Sequence, residues 1–239
     1  MTFLLTLLTT LMVAILARPA MQKVPWVFYL ICIALDVALL ALSAGLIPQA
    51  AVQLATMLLR RGFIAISLFV IVMYIGVFPY GSKVRNYFSP VRAVLAICAC
   101  ILALGHVAAY FATFIPRLFE GNLSSTMALS MFAGLGLLTL LLVLGITSFR
   151  GVRKAMGGRA WLRLQKASYL FYALIYVHSM CLLIPSALQH GKAAQTSVLV
   201  YSVVFGAYAV ARVVRAIADH RQSEVAAQLR QEELELQAV

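Results

Sequence analysis

Two histidines are the side chains in this sequence best suited to chemistry. His106 lies in the stretch ALGHVAAY (residues 103–110), and His178 ends the stretch WLRLQKASYLFYALIYVH (residues 161–178). Each sits deep inside an apolar segment, where an imidazole is costly unless a hydrogen bond or a metal holds it. Two imidazoles at one depth on neighbouring helices can share a metal, or each can be tied to a backbone carbonyl or hydroxyl across a helix contact. The first arrangement carries chemistry, and the second only braces helices. Asp36, the one acidic residue inside an apolar segment, reads as a protonated or hydrogen-bonded aspartate at a helix contact. His190 reads as a loop histidine, and His220 as one without a role. Cys32, Cys98, Cys100 and Cys181 all fall within apolar segments and read as small core residues rather than a disulfide framework.

The elements that must position these groups follow from composition. Of 239 residues, 64% are hydrophobic and 11% charged, against roughly 25% charged in soluble domains. Successive apolar runs of about 20 residues match a hydrocarbon core about 30 Å thick at about 1.5 Å rise per residue. The expected fold is an all-α integral membrane protein, a bundle of about seven transmembrane helices at 2–16, 25–45, 62–78, 91–115, 126–149, 167–188 and 197–217. Residues 47–61 are too polar to span and read as a short interfacial helix. Residues 116–125 form a turn and 150–166 the most basic loop, and the charged stretch 218–239 is expected to continue the last helix into water. The first run lacks the basic residues that open a secretory signal and is expected to be retained. Gly134, Gly136 and Gly145 in the fifth span are expected to let neighbouring helices approach closely.

The net charge of +12 would suit nucleic-acid binding, but the basic residues sit in short connections between spans, where membrane orientation accounts for them. With sides alternating at each span, fifteen Lys and Arg fall on one side and four on the other. The richer side is expected to be cytoplasmic, with the N-terminus outside and the C-terminus inside. On that topology the fourth and sixth spans run in the same direction. His106 is nine and His178 ten residues before the outer end of its span, so both lie roughly 14 Å below the outer surface. The face around His106 offers Ala99, Leu102, Ala103, Ala109 and Tyr110, whose alanines would leave a concavity for a flat apolar ring. The face around His178 offers Phe171, Leu174, Ile175, Cys181 and Leu182. A bis-histidine heme fits this pattern, whereas zinc or copper would want further ligands.

Several of these residues also carry a resemblance. Val91 and Arg92 open a helix that reaches Gly105, His106 and Tyr110; Thr147 and Ser148 precede the basic segment; Trp161, Leu164, Tyr169 and His178 follow. In order and spacing, residues 48–190 resemble the six-helix ferric reductase-like transmembrane domain of ferric reductases and NADPH oxidases. Within it the chain most resembles the heme-binding membrane subunit of the bacterial periplasmic methionine sulfoxide reductase system. The resemblance implies a heme-binding core over residues 25–217, an extra helix over 1–24 and a cytoplasmic tail over 218–239, in a bacterial inner membrane. The superfamily's common form carries two histidines on each of two helices and holds two hemes. Here the inner positions are Arg92 and Gln165, which leaves one heme b, with His106 and His178 as its ligands and Ala99, Ala103 and Tyr110 beside it. Arg92, Trp161, Gln165 and Lys166 could then hold the anionic head group of a flavin or quinone at the inner position.

No G-x-G-x-x-G follows a strand, no phosphate-binding loop occurs, and no C-x-x-C-H marks covalent heme. The expected function is a b-type heme electron-transfer subunit, passing electrons from a quinol or flavin donor to an extracytoplasmic redox protein or ferric iron. The alternative is a non-heme membrane transporter, or an assembly or anchor subunit of a larger complex.

Overall fold

The computed structural model describes residues 2–46, 53–120, 125–147 and 150–237, and among them there is no strand. Twelve helices follow one another: α1 Thr2–Leu16, α2 Arg18–Lys23, α3 Pro25–Ser43, α4 Gln53–Arg60, α5 Phe63–Ile75, α6 Lys83–Phe88, α7 Arg92–Phe119, α8 Ser125–Ile146, α9 Arg150–Met156, α10 Gly158–Gln165, α11 Ala167–Leu188 and α12 Lys192–Gln237. Among the described residues, five helical stretches are long and apolar enough to cross a membrane, and α1 and α5 are shorter apolar helices. Large apolar side chains cover the outside of the bundle, among them Leu16, Val37, Phe132, Leu199 and Val210. Water would not tolerate an apolar surface of that extent, and lipid requires it. The chain is an all-α integral membrane protein.

Breaks between helices follow the residues that cannot continue them. Pro19 sits in the first turn of α2, where its missing N–H costs nothing. Gly62, with φ +68°, adopts the left-handed conformation that separates α4 from α5. Gly157, with φ +73°, divides the basic segment into α9 and α10. That segment is therefore two short helices rather than a loop, with Arg159 and Arg163 exposed and Trp161 and Leu164 half-buried. Two other boundaries also differ from the sequence expectation. α5 is shorter than the span expected at 62–78, and α7 continues through Pro116 to Phe119 rather than ending at 115. Equal depth counted from the helix ends therefore no longer follows for His106 and His178. Helix α12 runs unbroken over 46 residues, so the charged tail continues the last span as expected. Residues 47–52, 121–124 and Ser148 lie outside the described residues, as do the Arg150 and Arg153 side chains.

The helices pack as two groups. In one, α3 and α5 flank α7, burying Leu39, Leu68, Val91, Leu95, Cys98 and Ala99. In the other, α11 lies between α8 and α12, burying Leu141, Phe171, Tyr172, Ile175 and Phe205. Aromatic contacts stiffen the second group: Tyr172 stacks on Phe205 at 4.4 Å and meets Tyr208 edge-on at 4.5 Å. α1 and α5 join the groups, with Phe3 stacked on Tyr201 at 4.2 Å and Phe69 edge-on to Phe171 at 4.9 Å. The four cysteines form no disulfide; Cys32 and Cys98 are buried and Cys100 and Cys181 half-buried.

The tightest approach in the first group is between α3 and α7, where the Asp36 carboxyl lies on the Gly105 backbone. A methyl group at Gly105 would overlap that carboxyl. Asp36 is thus at a helix contact, with its Oδ1 buried and without a hydrogen-bond partner. In an ordinary helix, replacing glycine by alanine stabilises by about 1 kcal/mol. Here we expect Gly105→Ala to destabilise by about 1–3 kcal/mol through overpacking, read as a lowered Tm of the purified protein in detergent.

Candidate functional site

His106 is set by a chain reversal. Arg60 ends α4, Gly62 turns the backbone through its positive φ, and α5 departs at Phe63. The carbonyl of Arg60 is one of the last-turn carbonyls that lack a partner within their own helix, and it lies 2.7 Å from Nδ1 of His106. A Cβ on Gly62 would come within 3.3 Å of the same nitrogen. Tyr110, one turn along α7, holds its ring 4.8 Å from the imidazole, and the Arg60 guanidinium lies 5.9 Å from the Tyr110 ring.

His178 has a parallel arrangement on the other group. Its Nδ1 lies 2.9 Å from the Ser130 carbonyl and 3.2 Å from the Ser130 hydroxyl, both on α8. Gly134 faces the imidazole at ordinary contact distance, since a Cβ there would lie 3.5 Å from His178 Cε1. Gly136 likewise opens onto Leu174 at 3.8 Å, whereas Gly145 has nothing within 4 Å of its would-be Cβ. The expectation of close approach thus holds at two of the three glycines and fails at Gly145.

A carbonyl oxygen can only accept, so each Nδ1 donates its proton to one. In a neutral imidazole this leaves Nε2 with its lone pair. Histidines that bind metals usually donate their other ring N–H to a carbonyl or carboxylate in this way. Both rings are half-buried, although residues beside them are fully buried. The helices that carry them, α7 and α11, do not pack face to face. The seam between the two groups is bordered by Phe69 and Ala103, which touch both, and by Cys100. Each imidazole keeps one lone pair able to ligate a metal. Among the described residues no three or more His, Cys, Asp or Glu gather as a bare-metal site.

The other expected site residues divide. Ala103 is on the seam and Tyr110 is beside His106, but Ala99 is fully buried in the packing of the first group, as is Ala109. Opposite, Phe171 and Ile175 are buried in the second group, whereas Leu182 is 52% exposed and faces outward. Arg92, the first residue of α7, is exposed. Trp161 is tied to the end of α8, its Nε1 donating to the Thr147 carbonyl at 3.0 Å. Gln165 has a buried Nε2 without a hydrogen-bond partner, and Lys166 is exposed. His190 occupies the turn after α11 with φ 60°, and His220 lies 3.7 Å from Glu224 on the exposed part of α12. Sequence reasoning missed Arg60, Gly62 and Ser130. The one available signal was glycine: Gly62 after two arginines and Gly134 four residues after Ser130.

Comparison with known proteins bears on this site. Residues 61–176 match the family described as "Ferric reductase like transmembrane component"; the match contains His106, Gly62, Ser130 and Gly134 and stops two residues before His178. An "Uncharacterized protein" of Treponema pallidum (strain Nichols) is 40% identical over 128 residues, which is 53% of this chain and 36% of that protein. The chain thus spans about a third of that relative's length. No solved structure matches. A little under half of the chain, including one of the two histidines, is therefore similar to the transmembrane component of ferric reductases.

Proposed function

We propose that this protein is a membrane electron-transfer subunit that holds one heme b between His106 and His178. The observation that carries the reading is the commitment of both Nδ1 atoms to backbone carbonyls, which leaves each Nε2 with a lone pair to offer a metal. The similarity of residues 61–176 to a ferric reductase-like component supports it. A heme bound there would accept and release single electrons at a potential set by its axial ligands and burial. The chain's own residues hold and orient. Arg60 and Ser130 fix the tautomer and plane of each imidazole, and Gly62 leaves the His106 ring room to reach its carbonyl. Ala103, Phe69 and Cys100 border the seam with small or apolar surface.

In this reading residues 25–217 form the cofactor-holding core, the helix of 1–24 adds to it, and 218–239 extend into the cytoplasm. Arg92 and Gln165 stand where a second pair of ligands would be needed, and neither is a good iron ligand, so the expected count is one heme. Arg92 is fourteen residues before His106, about 20 Å along the helix, a long gap for one electron transfer. The donor is therefore a quinol in the bilayer or a bound flavin, with Arg92, Trp161 and Gln165 as the residues nearest the inner end. The acceptor is an extracytoplasmic redox protein or ferric iron. The membrane is a bacterial inner membrane, with the N-terminus outside.

Purified protein should show the sharp reduced absorption bands of a b-type cytochrome, with one iron per chain. His106→Ala and His178→Ala should each abolish the bands, and a colourless, iron-free preparation from heme-replete cells would refute the reading. Steric control comes from Gly134, where alanine makes only ordinary contact and should keep the pigment, whereas Gly134→Leu should lose most of it at unchanged expression. Orientation is checked separately with a membrane-impermeant maleimide. Lys192→Cys should label in intact cells and Ala155→Cys only after lysis, and the reverse pattern would invert the topology.

A further inference from the structure

At the end of the bundle opposite the two histidines, four arginines converge from three elements. Gly81, with φ +81°, and Ser82, whose hydroxyl accepts from the Arg85 N–H at 3.3 Å, start α6 and so place Arg85. The Arg85 Nη1 donates to the Phe78 carbonyl at 3.0 Å, and its guanidinium lies 3.6 Å from the centre of the Tyr80 ring. Arg215 of α12 approaches the same ring at 5.8 Å, and Arg212, one turn earlier, stands 5.0 Å from the Tyr169 ring at the start of α11. Arg92 opens α7 directly after the short turn Ser89–Val91, which packs on α6, the helix that carries Arg85.

Four like charges brought together in this way repel unless something of opposite sign joins them. The structure provides little of it. Asp219 pairs with Arg215 at 2.6 Å; among the described residues no carboxylate pairs with Arg85, Arg92 or Arg212. Arg215 is 8% exposed and its Nε is buried without a hydrogen-bond partner, and burying part of a cation's donor set unsatisfied is costly. The cluster is nonetheless open to the outside, since Tyr80 is 77% exposed and Arg92 is exposed. Guanidinium forks match the paired oxygens of a phosphate, and basic pockets between transmembrane helices take up such groups.

We infer that Arg85, Arg92, Arg212 and Arg215 form a binding site for a phosphate group at the inner end of the bundle. The group belongs either to an anionic phospholipid or to a soluble phosphate compound. Both offer the oxygens the guanidiniums need, and they differ in whether the ligand arrives from the bilayer or from water. The site is independent of heme.

The test uses the full chain in phosphatidylcholine nanodiscs and reads the shift in Tm. In one arm part of the phosphatidylcholine is replaced by phosphatidylglycerol. In the other, inorganic phosphate replaces chloride at matched ionic strength. Stabilisation by phosphatidylglycerol alone assigns the site to lipid, and stabilisation by inorganic phosphate assigns it to a soluble ligand; either supports the proposal. The double variant Arg85→Gln/Arg212→Gln should bind the effective probe roughly thirtyfold more weakly, at roughly fivefold per arginine. Arg212→Lys keeps the charge and removes the fork, so it tests the site even if the double variant does not fold. It should bind the probe more weakly while its Tm without probe is unchanged. No response to either probe, or variants that respond as the wild type does, would overturn the inference.

Discussion

The hydrogen bond from each imidazole Nδ1 to a backbone carbonyl is the constraint on which the arrangement of the site depends. A side-chain acceptor could rotate away or change protonation, but a helix carbonyl is fixed by the helix that carries it. Arg60 offers its carbonyl because α4 stops there, and helix ends leave their last carbonyls unpaired. Ser130 offers one from within α8. Its carbonyl has a second lone pair beyond the helical bond, and Gly134 stands one turn on, beside the imidazole. In each case the carbonyl fixes a tautomer, and the tautomer decides which nitrogen keeps its lone pair.

That local geometry is connected to the division of the bundle. Without a hydrophobic force between helices in lipid, association rests on close packing and a few interhelical hydrogen bonds. The first group obtains its packing from small residues, with Asp36 lying on Gly105 and with Ala99 and Ala109 fully buried. The second obtains it from stacked aromatics, supported by the 2.9 Å Tyr176–Ser202 hydroxyl contact. α5 ties the two groups together, its Tyr74 hydroxyl donating to the Val204 carbonyl of α12 at 2.7 Å, so α7 and α11 need not meet. The histidines sit on the central helix of each group.

Much of this was legible in the chain, for identifiable reasons. Apolar runs of membrane length announce helices because lipid leaves the backbone no other way to satisfy its polar groups. The two histidines stood out because their surroundings were so apolar. Their carbonyl partners did not, since a backbone acceptor has no letter of its own: Arg60 reads as a charge on an interfacial helix and Ser130 as a small residue in a span. Depth counted along helices failed where Pro116 stayed within α7, because a proline near a helix end in a bundle can leave the freed carbonyl satisfied elsewhere. The basic segment read as a loop from its charges, yet exposed arginines alternating with Trp161 and Leu164 suit short helices lying at the membrane surface.

The two ends of the bundle then separate by charge in a way that hydrocarbon enforces. At the level of the histidines the polar groups can remain neutral, since an imidazole whose Nδ1–H is bonded to a carbonyl needs no counter-charge and only a partner for one lone pair. Guanidiniums cannot be neutral, so they belong where water can reach them. They collect instead at Tyr80 and Tyr169, whose rings offer cations a partial partner. A chain with imidazoles at both levels could hold a ligated metal at both. Arg92 at the start of α7 brings a fixed positive charge to that end of the bundle, and the imidazoles that can stay neutral lie farther along their helices.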